Sequence, residues 1–274
     1  VKRFWVLFFM FWPVLAVYVC WVAPARGWWF PGPAASPLGE RIDDLFYLIL
    51  IITTVVFIGT QAALGYVLWT GARRTDEGED QRAWFSHGSH NLEVIWTIVP
   101  AVVLLFIALY QMEVWAQYRI KSSFPEEVRN DPIAEVTARQ FEWRIRYPGI
   151  DADGNPLPLM PDPQPTDLYT VNDLHVPSGR PVMINLRTDD VQHSFFLPEL
   201  RVKQDAVPGL VIPVWFEASK SGEYALLCAE LCGWGHYKMK ARLVAESDTE
   251  WTAWLQELKT EQEFDGVVEA SEED

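Results

Sequence analysis

Three stretches of this chain, residues 4–25, 45–69 and 94–112, contain no charged side chain. Each reaches the roughly 17–25 residues that an α-helix needs to cross bilayer hydrocarbon. A backbone in lipid has no water to bond with, so such segments can satisfy their N–H and C=O groups only as helices. The amino-terminal part is therefore expected to consist of membrane helices with lipid as their solvent. The whole chain carries a formal net charge of -15 although half its residues are hydrophobic. Apolar and acidic parts are segregated along it, and an acidic surface of this kind excludes a nucleic-acid partner, which needs a basic one.

Basic residues set the orientation. Lys2 and Arg3 precede the first apolar stretch, and Arg73, Arg74 and Arg82 lie between the second and third. Both regions are expected on the cytoplasmic side, which leaves everything after Glu113 outside. The expected location is a bacterial cytoplasmic (inner) membrane with the soluble part on its periplasmic face. Residues 1–26 are an apolar helix or a signal segment: small residues surround Pro24, but the apolar core exceeds the 7–15 residues usual for a signal. Residues 43–118 form a two-helix hairpin, and Pro100 is expected to kink its second helix.

After Ser122 the pattern changes to short segments punctuated by Pro, Gly and Asp. Residues 135–147, 167–171, 181–186, 211–216, 222–227 and 238–244 read as strands of an all-β domain over 122–246, an antiparallel sandwich or Greek-key barrel. Residues 151–166, rich in proline, read as a surface excursion. Ser247 and Glu250 are spaced as a capping box, and Trp251, Trp254, Leu255 and Leu258 share one face of a helix over 247–262. Residues 263–274 are an acidic tail.

Chemistry concentrates in one loop. The run Cys-Ala-Glu-Leu-Cys-Gly-Trp-Gly-His-Tyr-Lys-Met, from Cys228 to Met239, carries two thiols, an imidazole and a thioether, and His193 lies upstream. Two cysteines and two histidines suffice for one tetrahedral zinc, which leaves Met239 and Glu230 idle. Two coppers sharing both sulfurs use every donor, and a thioether is a weak ligand of copper electron-transfer sites. A disulfide is the plain alternative for two cysteines in an exported domain. His87, His90 and His175 read as solvated loop histidines, and Cys20 as a small buried hydrophobe.

The motif Cys228-x-Glu230-x-Cys232-x3-His236-x2-Met239, with Asp190-x-x-His193 upstream, resembles the copper A centre of cytochrome c oxidase subunit II. The resemblance covers about residues 43–258 and implies a membrane helical hairpin, here with an additional N-terminal apolar helix, followed by a cupredoxin-like Greek-key domain. It implies two copper ions on His193, Cys228, Cys232, His236 and Met239 with the Glu230 carbonyl, and magnesium on the Glu230 carboxylate at the contact with subunit I. It further implies Glu93 at the mouth of a proton path, Asp189 and Asp190 in donor docking, and cytochrome c as the electron donor. Electrons would pass on to haem in subunit I, where oxygen is reduced to water and protons are pumped, so this chain holds no oxygen-reducing residue. Phe141 stands where the family often has a tryptophan through which electrons enter, with Trp143 the second aromatic of that motif. A copper-A-dependent nitric oxide reductase and a membrane-tethered copper-binding or delivery protein are the competing readings. No Cys-x-x-Cys-His motif is present, so no fused cytochrome c is expected.

Overall fold

The charge-free stretches become long helices because nothing in them competes with intrahelical hydrogen bonding. The structure, a computed structural model, describes residues 2–30, 32–76, 87–151 and 154–266. Helix α1 spans Lys2–Val22, α2 Pro37–Asp76 and α3 His90–Arg119, each long and apolar enough to cross a membrane. Helix α2 extends well beyond the apolar stretch at both ends, and α3 runs on through Pro100. Arg82 and residues 267–274 of the acidic tail lie outside the described residues. His90 is the exposed first residue of α3 rather than a loop residue, and Cys20 is half-buried in α1 rather than fully buried.

The chain divides into two compact units, one of Val1–Phe30 with Asp43–Glu113, the other of Pro31–Ile42 with Val114–Asp274. Among the described residues of the second unit, ten strands form two five-stranded sheets. The strands are β1 (Ala134–Arg139), β2 (Glu142–Tyr147), β3 (Leu168–Val171), β4 (Asp173–Pro177), β5 (Val182–Thr188), β6 (His193–Leu197), β7 (Val202–Ala206), β8 (Ile212–Phe216), β9 (Gly222–Cys228) and β10 (Lys240–Glu246). One sheet has the order β3-β2-β1-β5-β8 and the other β4-β10-β9-β6-β7. Most neighbours are antiparallel, but β1 with β5 and β4 with β10 are parallel. Both sheets contribute to one core that includes Trp143, Ile145, Leu186, Phe195, Leu226 and Leu243. The alternation of buried and part-exposed positions along β5 and β10 follows from side chains pointing to opposite faces.

Several strands depart from the sequence pattern. The single strand expected over 135–147 is a hairpin, β1 and β2, turned at Gln140 and Phe141 without the Gly or Asn that marks such turns. Strands β4, β6 and β7 went unread because polar or ligand residues interrupt their apolar alternation. The expected strand 238–244 starts later, at Lys240, because His236–Lys238 form a short 3-10 turn. Arg146 on β2 explains how the proline-rich excursion is held. Its guanidinium is buried against Asp167 at 2.7 Å and Glu135 at 3.4 Å, and also donates to the Met160 carbonyl at 3.0 Å.

Helix α4 (Asp248–Phe264) closes the second unit, its first turn capped by Ser247 and Glu250 in a reciprocal box. Trp251 and Leu255 are buried, with Trp254 and Leu258 packed on the same core. His175 is not a solvated loop residue: it lies buried in β4 and stacks flat on Trp254, ring centroids 3.9 Å apart. Its Nδ1 is 3.0 Å from the Glu246 carboxylate, and its Nε2 lies 3.2 Å from Asp173 at ion-pair distance but without hydrogen-bond alignment. Burial opposes the charge on His175, yet the two carboxylates outweigh it and raise its pKa. Asp173, despite its own desolvation, is held down to about 2 by His175 and Arg242.

These shifts make a pH prediction with a definite sign. The folded state binds the His175 proton more tightly than the unfolded state, whose histidine titrates near about 6.5. The stabilisation is thus complete below that pH and is lost as pH rises through the higher folded value. Asp173 contributes in the opposite direction, with stabilisation present above its unfolded pKa and lost as pH falls toward about 2. Hydrogen exchange of α4 amides, corrected for intrinsic rates, should show protection falling from pH 6 to pH 9. That fall should disappear in His175→Gln; a pH-independent wild type would refute the assignment.

Candidate metal centre

Strand pairing alone brings the cysteine loop to His193. Strands β9 and β10 are antiparallel neighbours, with Leu227 opposite Lys240, so residues 228–239 form the connection between them. The loop closes on itself where Cys228 N–H donates to the Met239 carbonyl at 3.2 Å. Strand β6 flanks β9 on its other side, with Phe195 opposite Cys228, and Ala229 N–H donates to the Ser194 carbonyl at 3.0 Å. His193, first residue of β6, therefore stands beside the first cysteine although 35 residues separate them in sequence.

Inside the loop the soft donors converge. The two sulfurs, Cys228 Sγ and Cys232 Sγ, are 3.9 Å apart, well beyond the roughly 2.05 Å of a disulfide, and both thiols are free. One imidazole attends each sulfur: His193 Nδ1 is 3.8 Å from Cys228 Sγ, and His236 Nδ1 is 3.6 Å from Cys232 Sγ. Met239 Sδ lies 3.2 Å from His193 Nδ1 and 3.9 Å from Cys232 Sγ. The Glu230 carbonyl is 3.2 Å from Cys228 Sγ. All six residues singled out as ligands are thus brought together, and His193, Cys228 and Cys232 already satisfy the spacing of a metal-binding group.

The electrostatics favour a cation. Burial works against a Cys228 thiolate, but hydrogen bonds led by that from His193 prevail and bring the thiol down to about 6. Burial and the neighbouring Cys228 charge push Cys232 up to about 12. Two sulfur charges at this separation repel each other, and the second proton is held until positive charge is placed between them. Two thiolates, two imidazoles, a thioether and a carbonyl form a soft donor set that fits copper.

Supporting residues fix the ligands. His193 is 0% exposed, and its Nε2 lies 2.9 Å from Asp190 Oδ1, which directs Nδ1 to the sulfurs. The same carboxylate accepts the Val191 N–H at Oδ1 and the Gln140 N–H at Oδ2, each at 2.7 Å. Gln140 also donates its side-chain amide to the Cys232 carbonyl. It thereby joins Asp190 to the ligand loop, a role that no residue spacing announced. Gly235 has no room for a side chain: an added Cβ would lie 2.5 Å from the Phe141 ring. Phe141 is consequently wedged against the loop backbone.

The remaining candidates are dispersed. Trp143 is 0% exposed, its indole edge-on to Phe195 and beside His193 at a centroid distance of 6.3 Å. A buried indole cannot touch an external electron donor, so Trp143 serves as a wall of the His193 pocket and not as a surface where electrons enter. Asp190 is committed to His193 and Gln140, while Asp189 is exposed and 3.5 Å from Arg187. Glu93 sits in the first turn of α3, in the other unit, with its backbone N–H bonded to the Ser89 carbonyl.

Two family profiles match the chain: the transmembrane domain of cytochrome c oxidase subunit II over residues 26–114, and the periplasmic domain of the same subunit over residues 139–247. Alternative cytochrome c oxidase subunit 2 of Bradyrhizobium diazoefficiens is 32% identical over 247 residues, covering 85% of this chain and 85% of its own length. Cytochrome c oxidase subunit 2 of Cereibacter sphaeroides is 30% identical over 249 residues, covering 83% of this chain and 79% of its own. Among solved structures, the periplasmic domain of subunit II of cytochrome oxidase of Bradyrhizobium japonicum aligns with a TM-score of 0.40 at 25% identity, covering 48% of this chain and 96% of that one.

Proposed function

The chain belongs to the cytochrome c oxidase subunit II family, and on that premise we propose that it accepts electrons from cytochrome c through a dinuclear copper centre in its periplasmic domain. It is a membrane subunit of an oxidoreductase complex and assembles with other oxidase subunits. The observation that carries the reading is the pair of sulfurs 3.9 Å apart, each with its own imidazole. In this reading Cys228, Cys232, His193, His236, Met239 and the Glu230 carbonyl would together hold the two copper ions. The copper pair would supply a one-electron relay to haem in subunit I, where oxygen reduction to water is coupled to proton pumping.

The chain's own part is to hold the donors still. His193 is locked by Asp190 and walled by Trp143; the loop is pinned at Gly235 by Phe141 and at Cys232 by Gln140. Ligands fixed in this way move little when the charge between them changes, which keeps electron transfer fast. The two-sheet domain is read as a cupredoxin-type Greek key with its metal loop at one end, and α2 with α3 as the membrane hairpin in a bacterial inner membrane, with lipid around it. The Glu230 carboxylate is assigned to magnesium at the contact with subunit I. Electron paramagnetic resonance on the copper-loaded full-length chain tests the reading: hyperfine splitting from two equivalent coppers supports it, and a single-copper pattern or bound zinc removes it.

Glu93 is assigned to the entrance of a proton path. Its position in the first turn of α3 also suits a carboxylate facing the helix dipole, so the two roles need separating. Glu93→Gln is expected to slow proton-coupled turnover by about an order of magnitude or more while leaving the copper spectrum unchanged. Unchanged turnover leaves only the dipole role.

A further inference from the structure

The mouth of the metal loop presents aromatic surface beside the carboxylates of Asp189 and Asp190. Asp190 has spent its carboxylate on His193 and on the Gln140 and Val191 amides, and Asp189 is 3.5 Å from Arg187. On the loop itself Trp234 is 79% exposed and Tyr237 is 67% exposed. Exposure of this degree is unusual for an indole, whose burial would be favourable unless a partner supplies the cover.

These rings form a connected platform. Trp234 meets Phe141 edge to face at a centroid distance of 5.2 Å, and Phe141 is packed against Gly233 and Gly235. Lys238 Nζ lies 5.6 Å from the Trp234 ring centroid and 5.5 Å from that of Tyr237, so one ammonium bridges the two. Trp234 is also two residues from Cys232 and two from His236, whose Nδ1 is 3.6 Å from the Cys232 sulfur.

We infer that Trp234, supported by Tyr237, is the contact at which the donor cytochrome seats the apolar edge of its haem, and that charge contributes little to this docking. The inference rests on the electron-accepting reading of the copper loop. In the step, the donor haem iron goes from ferrous to ferric and one electron passes by Trp234 and the loop backbone to the copper pair, the one-electron oxidant; no bond breaks and no proton moves. Lys238 stands in the platform, so its ammonium offsets part of the negative charge that Asp189 and Asp190 keep beside it. Steering by charge weakens as salt screens it, whereas an aromatic anchor does not. The chain therefore selects its donor by apolar fit.

The test uses the full-length chain in its assembled oxidase complex, with soluble cytochrome c and the same cytochrome with acetylated lysines as probes. Affinity is measured with both partners oxidised, the second-order reduction rate by stopped flow across ionic strength, and copper integrity by electron paramagnetic resonance. Trp234→Ala should weaken affinity and slow reduction by about tenfold or more, with the copper signal intact. Acetylated and native probes should agree within about threefold, and Asp189→Asn should change little. If Trp234→Ala disturbs the copper signal, Trp234→Phe with an intact signal decides, and its rate should fall between the two. Trp234 variants within twofold of wild type, together with a tenfold loss on acetylation or in Asp189→Asn, would overturn the inference in favour of an acidic rim. Absence of the paired-copper signal in wild type would instead remove the copper reading, and the affinity series would still judge the platform.

Discussion

Cys228→Ser is expected to abolish the two-copper signal. Cys228 stands at the end of β9 with its sulfur 3.9 Å from Cys232 Sγ, 3.8 Å from His193 Nδ1 and 3.2 Å from the Glu230 carbonyl. A serine hydroxyl keeps the shape of the side chain, but it does not ionise in this range and is a hard donor for a soft metal. The residues left behind, Cys232, His193, His236 and Met239, can hold one ion but cannot share two sulfurs between a pair. Loss of a residue that merely orients a ligand costs about 10–100-fold in metal affinity, and loss of a charged bridging ligand should exceed that. Paramagnetic resonance of the copper-loaded variant should show single-copper splitting or none. Stability of the metal-free chain should stay within about 1 kcal/mol of wild type, since the site is half-buried and the volume change is small. A variant that retained the paired signal would show that Cys228 is not a shared ligand.

Trp143→Ala should be the most destabilising single substitution near the centre. The indole is fully buried, edge-on to Phe195 at 5.8 Å and to His193 at 6.3 Å between ring centroids. Truncation leaves a cavity in the shared core of the two sheets, at a cost of about 3–5 kcal/mol. The void lies beside His193, so metal affinity should fall with stability. Trp143→Phe separates packing from polarity. The buried indole Nε1 has no hydrogen-bond partner among the described residues, a burden of about 1–3 kcal/mol that phenylalanine removes. The phenyl variant should therefore lose much less than the alanine variant. Denaturant midpoints for both variants check this, and an alanine cost below about 1 kcal/mol would discard the wall role.

Reading residues in order gave the proposed ligands but not their supports. Cys228, Cys232, His236 and Met239 sit within one loop, so their convergence needs only a turn, and His193 was found as the missing imidazole. The support given by Gln140 and the burial of Trp143 went unread because both come from strand pairing. The β1–β2 hairpin has no sequence signal at Gln140 and Phe141, and only that turn carries Gln140 to Cys232 and Asp190. His175 was taken as solvated for a similar reason. Its strand has five residues and ends at Pro177, too little to mark it as buried, whereas pairing with β10 and the approach of α4 enclose His175 between two carboxylates and an indole.

The sequence by itself determined the membrane helices, the soft donor set and the capped closing helix, because each depends on near neighbours: unbroken apolar length, ligand spacing in one loop, and a Ser-x-x-Glu box. Tertiary structure alone decided which acidic and aromatic residues are free to act. Asp190 is spent on His193, Trp143 is sealed in the core and Trp234 is left outside, all because strands β1, β2, β6 and β9 meet at the metal loop. Exposure and partnership are long-range properties, set by which strands become neighbours, and no local pattern of residues encodes them.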